Sequence, residues 1–176
     1  PNLEYIIIDG GSTDGSVEII KKYEKYLSFW CSEPDDGQDD AINKGFGHSS
    51  GEIMAWLNSD DMYYSWTFRT VSSIMSQLPA VQWLTTLNKG FGDYDGFCSG
   101  LKLIPGYSRY AFLDGAYLPG CSHVFYGWMQ QESTFWHRSL WEKAGSRVDT
   151  QYKLAADFDV WSRFYRYEEL YGTPIH

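Results

Sequence analysis

Acidic side chains follow three short apolar runs of the sequence. Asp9 follows residues 5–8, Asp35 and Asp36 follow residues 27–31, and Asp60 and Asp61 follow residues 53–57. If these runs are strands of an open parallel sheet, the acids lie beyond its carboxyl ends, where such sheets bind ligands. Carboxylates in one crevice repel each other, and a hard divalent cation such as Mg²⁺ or Mn²⁺ relieves that repulsion through oxygen ligands. The pattern therefore predicts a cation site that holds a diphosphate-bearing ligand.

The same acids have a second interpretation, as turn formers and helix caps. It is favoured for Asp14, Asp39 and Asp40, which stand at the starts of helical patterns. For Asp60 and Asp61 a ligand-binding role is favoured, because an apolar run leads directly into both acids.

Apolar runs and helical patterns alternate through the first half of the chain. Strands are predicted over 5–8, 27–31 and 52–57, and helices after residue 14, over 39–48 and over 65–78. This alternation predicts a parallel α/β sheet in a single domain. Residues 88–126 are irregular and rich in glycine and aromatic residues, which favours antiparallel strands and long loops. Helical patterns return over 140–144 and 157–170.

Composition narrows the classes of function. The 176 residues carry 14 basic and 23 acidic side chains, a net charge of −9, which disfavours nucleic acid as a partner. No run approaches the ~18 apolar residues of a membrane-spanning helix. Three distant cysteines without a C-x-x-C pair favour a reducing cytoplasm over a disulfide scaffold. The aromatic content of 18% fits a dense core or a surface that stacks on sugar rings.

Other ligand motifs do not fit the sequence. The glycines at 45, 47 and 51 are similar to a dinucleotide fingerprint, but the third is one residue late and the run precedes a strand. A Ca²⁺ loop starting at Asp9 would have Gly11 where an oxygen ligand is needed. The four histidines form no close pair, which disfavours zinc.

Six short motifs occur in order along residues 3–171. They are DGGSTDGS at 9–16, DGQ at 36–38, AINKG at 41–45, NSDD at 58–61, QESTFW at 131–136 and ADFDVW at 156–161. Together they resemble the inverting glycosyltransferases of family 2, in particular bacterial enzymes that build cell-envelope polysaccharide or O-antigen. The resemblance implies the α/β GT-A fold, with a Rossmann-like, mostly parallel sheet flanked by helices. Family members begin with a strand and helix upstream of this segment, so the first central strand and helix are expected to be missing.

The resemblance also implies roles on the donor side. Asp9 resembles the acid that accepts a hydrogen bond from the nucleotide base, usually uracil, and Asp36 resembles a second donor contact. Asn58 and Asp60 occupy the family's D-x-D position, where Asn58 replaces the first acid, and are expected to contact the ribose or the sugar. Asp61, with Asp60 as co-ligand, is expected to bind Mg²⁺ or Mn²⁺. The implied donor is a nucleotide-sugar, and the acid at position 9 points to a UDP-sugar.

On the acceptor side, the resemblance implies two further residues. Asp157 aligns with the catalytic base, at the start of a helix whose dipole favours its ionised form. Glu132 lies where the acceptor is expected. A base on the acceptor hydroxyl and a cation on the departing diphosphate suffice for direct displacement with inversion at the anomeric carbon.

The implied organisation is a donor half over 1–87 and an acceptor half over 88–176. The implied acceptor is a glycan or a lipid-linked sugar, and a lipid-linked acceptor would bring this cytoplasmic protein to the inner face of the membrane. Two alternatives remain open on the residues alone. The aromatic residues also suit a non-catalytic carbohydrate-binding module, and the sheet with its acids also suits a nucleotide-sugar pyrophosphorylase-like enzyme.

Overall fold

A computed structural model describes residues 3–92 and 98–174 of the chain. Its strands are β1 (Ile6–Asp9), β2 (Phe29–Ser32), β3 (Ile53–Met54), β4 (Trp83–Thr86), β5 (Asn88–Gly92), β6 (Cys98–Leu103), β7 (Phe135–His137) and β8 (Tyr171–Thr173). Its α-helices are α1 (Ser16–Tyr23), α2 (Gln38–His48), α3 (Thr67–Gln77), α4 (Arg109–Leu113), α5 (Arg138–Lys143) and α6 (Ala156–Phe164). Two 3₁₀ turns cover Glu24–Tyr26 and Gln131–Ser133. The predicted alternation of strands and helices in the first half is confirmed.

The strands of the described residues form a mixed set of pairings. β1 pairs with β2 in parallel, and the order β3-β7-β4-β8 makes a four-stranded sheet. Within that sheet β7 is antiparallel to both β3 and β4, whereas β8 is parallel to β4. The expectation of a mostly parallel sheet is therefore corrected to a mixed one, because the short strand β7 returns between β3 and β4 in the opposite direction.

Several boundaries differ from the sequence prediction. The strand expected over 52–57 is reduced to β3, since its ladder with β7 holds only two residue pairs. The helix expected over 157–170 ends at Phe164, and the chain then forms β8 beside β4. The antiparallel strands expected within 88–126 are confirmed as the β5–β6 hairpin. Residues 93–97 of that segment lie outside the described residues.

Aromatic side chains form the centre of the core. Trp83, Trp136 and Trp161 are fully buried, and they come from β4, β7 and α6. The rings of Trp56 and Trp161 stack with centroids 5.7 Å apart and planes 8° from parallel. Because each large ring removes much apolar surface from water, this cluster fixes α6 on the four-stranded sheet. The aromatic richness of the sequence is thus partly explained by the core.

No helix of the described residues combines the length and the apolar character needed to cross a membrane.

Truncation of a central tryptophan tests this account of the core. We expect Trp83→Ala to lower the free energy of unfolding by about 3–5 kcal/mol, because it leaves a large cavity between β4 and α6. Urea denaturation followed by circular dichroism measures the change. The control is Tyr110→Ala, since Tyr110 is 85% exposed and its removal should cost less than about 0.5 kcal/mol. Equal losses in the two variants would contradict the assignment of the core.

Candidate active site

Asp9 ends β1 and is held by the loop that follows it. Its Oδ2 accepts hydrogen bonds from the backbone N–H groups of Gly11 (3.1 Å) and Ser12 (2.9 Å). It also accepts one from the Ser32 hydroxyl at 2.6 Å, which ties the ends of β1 and β2 together. Gly11 has a φ of 89°, in the left-handed region that glycine adopts without strain. The loop therefore folds back and aims two N–H groups at the carboxylate.

These hydrogen bonds fix the charge of Asp9. The hydroxyls of Ser12 and Ser32, together with the backbone N–H groups, lower the pKa of Asp9 from 3.8 to about 2. The side chain is only 9% exposed, so it is an ionised carboxylate in a largely buried position. Such a group is suited to accept a hydrogen bond from a ligand N–H at the sheet edge.

Of the two aspartates that follow β2, Asp35 is hydrogen-bonded to the backbone and Asp36 is exposed. Asp35 accepts from the backbone N–H of Gly37 at 2.9 Å. It also packs so closely on Gly10 that a Cβ there would lie 2.9 Å from Asp35 Oδ2. Asp36, the residue chosen from the sequence, is exposed. Its role as a donor contact stays a prediction.

Asn58 is the centre of the hydrogen-bond network beyond β3. Its Oδ1 accepts from the Gln38 amide of α2. Its Nδ2 donates to Glu132 Oε1 at 3.1 Å and to Asp61 Oδ2 at 3.3 Å. One side chain therefore joins α2, the loop after β3 and the 3₁₀ turn at Gln131–Ser133. The contact of Asn58 with the ribose or the sugar stays a prediction, and the structure shows its amide bound to the protein's own acids.

Asp61 and Glu132, which both accept a hydrogen bond from Asn58, carry partly uncompensated negative charge. Burial raises the pKa of Asp61, and the neighbouring Asp60 carboxylate raises it further. Burial also raises the pKa of Glu132, with contributions from Asp61, Asp157 and Asp60. An aspartate at position 58 would add a third charge here, whereas the amide of Asn58 donates to both carboxylates. This is a physical reason for the departure from D-x-D.

Asp157 lies in the first turn of α6 and is half-buried. Its Oδ1 accepts from the backbone N–H of Phe158 at 2.8 Å. Burial raises the pKa of Asp157 above its usual range, and Asp39 contributes in the same direction. A carboxylate with a raised pKa is a better proton acceptor than an exposed one, which suits a general base.

Glu132 and Asp157 meet in one cavity. It has a volume of about 240 Å³ and is lined by these two acids, by Lys89 and Phe91 of β5, and by residues 128–131. Residues 132 and 157 come from separate elements, and the fold brings both to the same space. Asn58 then connects Glu132 to Asp61, so the acids after β3 and this cavity form one continuous site.

Sequence reasoning missed two residues of this site. Gln38 belongs to the DGQ motif but received no role, and the structure shows its amide on Asn58. Lys89 is one of two lysines in the irregular segment 88–126, with no sequence pattern that marks it, and only the fold places it in the cavity. Within residues 3–92 and 98–174, no three His, Cys, Asp or Glu side chains converge as a ready-made metal site.

Comparison with known families identifies the chain. The profile described as "Glycosyl transferase family 2" matches residues 1–102, more than half of the sequence. The chain belongs to glycosyl transferase family 2. The matched segment contains Asp9, Asp36, Asn58, Asp60 and Asp61. Membership favours a transferase over the carbohydrate-binding module and the pyrophosphorylase-like enzyme.

Two curated relatives of this family 2 chain come from bacteria. An uncharacterised glycosyltransferase of Rickettsia typhi is 25% identical over 172 residues, which cover 97% of this chain and 52% of the relative. The putative teichuronic acid biosynthesis glycosyltransferase TuaG of Bacillus subtilis is 36% identical over 66 residues, or 36% of this chain and 26% of TuaG. The chain thus spans at most about half the length of these two relatives.

Solved structures share the fold of this family 2 chain. S. aureus TarS (residues 1–349) in complex with UDP superposes with a TM-score of 0.71 at 15% identity, covering 98% of this chain and 49% of TarS. The mannosyltransferase PcManGT from Pyrobaculum calidifontis, in complex with GDP-Man and Mn²⁺, gives a TM-score of 0.63 at 17% identity, covering 98% and 46%. The expected GT-A fold is confirmed.

The charge state of Asp9 gives a stability prediction. The folded pKa lies below the ordinary value, so Asp9 stabilises the protein at neutral pH, and this contribution falls as the pH drops from about 4 towards 2. We expect Asp9→Asn to lower the free energy of unfolding by about 1–2 kcal/mol at pH 7 and by about half as much at pH 3. Urea denaturation at the two pH values measures this. Glu142→Gln, at an exposed position of α5, is the control, and a pH-independent loss in Asp9→Asn would contradict the prediction.

Proposed function

We propose that this chain is the catalytic part of a metal-dependent, inverting glycosyltransferase. It would transfer a sugar from a nucleotide-sugar, a UDP-sugar in particular, to a glycan or lipid-linked acceptor in bacterial polysaccharide synthesis. One observation carries the proposal. The Asn58 amide links Asp61, at the sheet edge, to Glu132, which shares a cavity with Asp157. A donor site at the sheet edge and an acceptor site in the cavity would therefore be adjacent, as sugar transfer requires.

Residues 1–87 would form the donor half. The ionised, hydrogen-bonded Asp9 is suited to accept the N3–H of uracil, and Asp36 would add a contact from the loop after β2. Asn58 and Asp60 would face the ribose or the sugar. The complexes of TarS with UDP and with UDP-GlcNAc support a uridine donor, and the GDP-Man complex of PcManGT makes guanosine the alternative to test.

Asp61, with Asp60, would hold the divalent cation, Mg²⁺ or Mn²⁺. Such ions often take only one or two carboxylates, while substrate phosphates and water complete the coordination. The two adjacent acids fit this role, since burial and like charge leave Asp61 in need of a counter-charge. When bound, the cation supplies a positive charge for the departing diphosphate. The Mn²⁺ complex of PcManGT supports this assignment.

Residues 88–176 would form the acceptor half, with Asp157 as the base. The acceptor hydroxyl oxygen attacks the anomeric carbon, and its proton passes to the Asp157 carboxylate. The bond from the anomeric carbon to the diphosphate oxygen breaks on the opposite face, so the configuration inverts. Glu132 would accept a hydrogen bond from the acceptor. A lipid-linked acceptor would place the protein at the inner face of the membrane.

Calorimetric titration of UDP, GDP and dTDP, with and without Mn²⁺, tests the donor site. We expect UDP to bind at least tenfold more tightly with Mn²⁺, and Asp61→Asn to remove that gain while the protein stays folded. Asp114→Asn, at an exposed acid of the acceptor half, should leave binding unchanged. A folded chain that binds none of the three nucleotides overturns the donor site, and a preference for GDP replaces uridine by guanosine.

Substitution of the base tests the chemical step. We expect Asp157→Asn to slow release of UDP from a bound UDP-sugar by about 10²–10⁴-fold, with the Kd for UDP within twofold of the wild type. Because burial raises the pKa of Asp157, the acid limb of the wild-type pH–rate profile should lie above the pH at which an ordinary aspartate titrates. Unchanged turnover in Asp157→Asn contradicts the role of Asp157 as the base.

A further inference from the structure

Lys89 is a buried cation without a hydrogen-bond partner. Its side chain is 2% exposed, and its Nζ meets no hydrogen-bond acceptor among the described residues. Burial lowers the pKa of Lys89 to about 8; Lys102 lowers it as well, and Glu132 acts in the opposite direction. The ammonium is still charged near neutral pH. A buried charge of this kind costs stability unless an anion compensates it.

A second lysine stands directly opposite. In the β5–β6 hairpin Lys89 is the register partner of Lys102, so the two side chains leave the same face of the ladder. Facing like charges destabilise a hairpin. Among residues 3–92 and 98–174, the ion pairs include neither lysine. Within the part of the chain that the structure describes, the hairpin thus holds two neighbouring cations that no ion pair neutralises.

Aromatic rings extend the lysine pair into a binding surface. Lys102 Nζ lies 4.9 Å from the ring centroid of Phe125 and 5.2 Å from that of Trp128. Trp128 is 46% exposed, and it lines the cavity of about 240 Å³ that contains Lys89, Glu132 and Asp157. An exposed tryptophan beside a cavity is suited to pack against a sugar ring.

One lysine and two carboxylates line this cavity, and together they limit the ligand that fits it. Glu132 and Asp157 accept hydrogen bonds from hydroxyl groups. Glu132 favours the charged form of Lys89 but makes no hydrogen bond with it, so an anionic oxygen on the ligand would supply the partner that the described residues do not. The fitting ligand therefore carries both hydroxyl groups and a negative charge.

We propose that this cavity binds an acidic acceptor sugar, whose ring packs on Trp128 and whose anionic group binds Lys89 and Lys102. The anionic group is a carboxylate, as in a uronic acid, or a phosphate attached to the sugar. The inference rests on the proposed transferase function and specifies its acceptor class.

Binding of three matched sugars tests the inference. Glucose, glucuronic acid and glucose 6-phosphate are titrated into the chain in the presence of UDP and Mn²⁺, and binding is followed by calorimetry and tryptophan fluorescence. We expect at least one of the two acidic sugars to bind tenfold or more tightly than glucose, and the preferred one identifies carboxylate or phosphate as the anionic group. Lys89→Met and Lys102→Met should each reduce this preference at least fivefold, whereas Lys143→Met, at an exposed lysine of α5, should not.

The same variants distinguish a failure of the acceptor inference from a failure of the proposed transferase function. Lys89→Met should unfold at the same temperature as the wild type or higher, because it removes an uncompensated buried charge. The inference is overturned if UDP binds but no sugar does, if acidic and neutral sugars bind equally, or if both lysine variants keep the preference. A third outcome is that the chain prefers acidic sugars, loses this preference in Lys89→Met, and binds no nucleotide. That result overturns the proposed transferase function, and the acidic-sugar binding site remains.

Discussion

The site depends on one amide group that separates two carboxylates. Asp61 and Glu132 both accept from the Nδ2 of Asn58, and each has a pKa raised by burial and by neighbouring acids. Without that donor the two charges would face each other directly, and repulsion would push the loop after β3 away from the turn at Gln131–Ser133. Gln38 completes the arrangement by holding the oxygen of the same amide.

The aromatic core supplies the rigid support for this arrangement. Trp136 of β7 and Trp161 of α6 are fully buried and touch, with ring centroids 5.6 Å apart. Trp136 ends the segment that carries Glu132, and Trp161 lies one helical turn after Asp157. Gln131, next to Glu132, donates a hydrogen bond from its side-chain amide to the backbone carbonyl of Trp56 on the loop after β3. The side chains of the site are thus fixed by the same packing that joins the sheet to α6.

The β5–β6 hairpin brings positive charge to a site that is otherwise rich in acids. The matched family segment holds the acids after β1, β2 and β3, which suit a donor with a cation. The β5–β6 hairpin, most of which lies in the same matched segment, adds Lys89 and Lys102.

The sequence by itself determined the order of strands and helices, the family resemblance and the position of the acids at strand ends, because these follow from local periodicity and short motifs. The motifs at 131–136 and 156–161 also singled out Glu132 and Asp157, which the fold brings to one cavity. The tertiary structure alone decided that β7 inserts antiparallel between β3 and β4, since strand pairing depends on contacts between residues about 50 to 80 positions apart. It alone turned Asn58 into a shared donor and left Lys89 buried opposite Lys102. Partners and burial of this kind are set by the folded surroundings, which no local pattern of residues records.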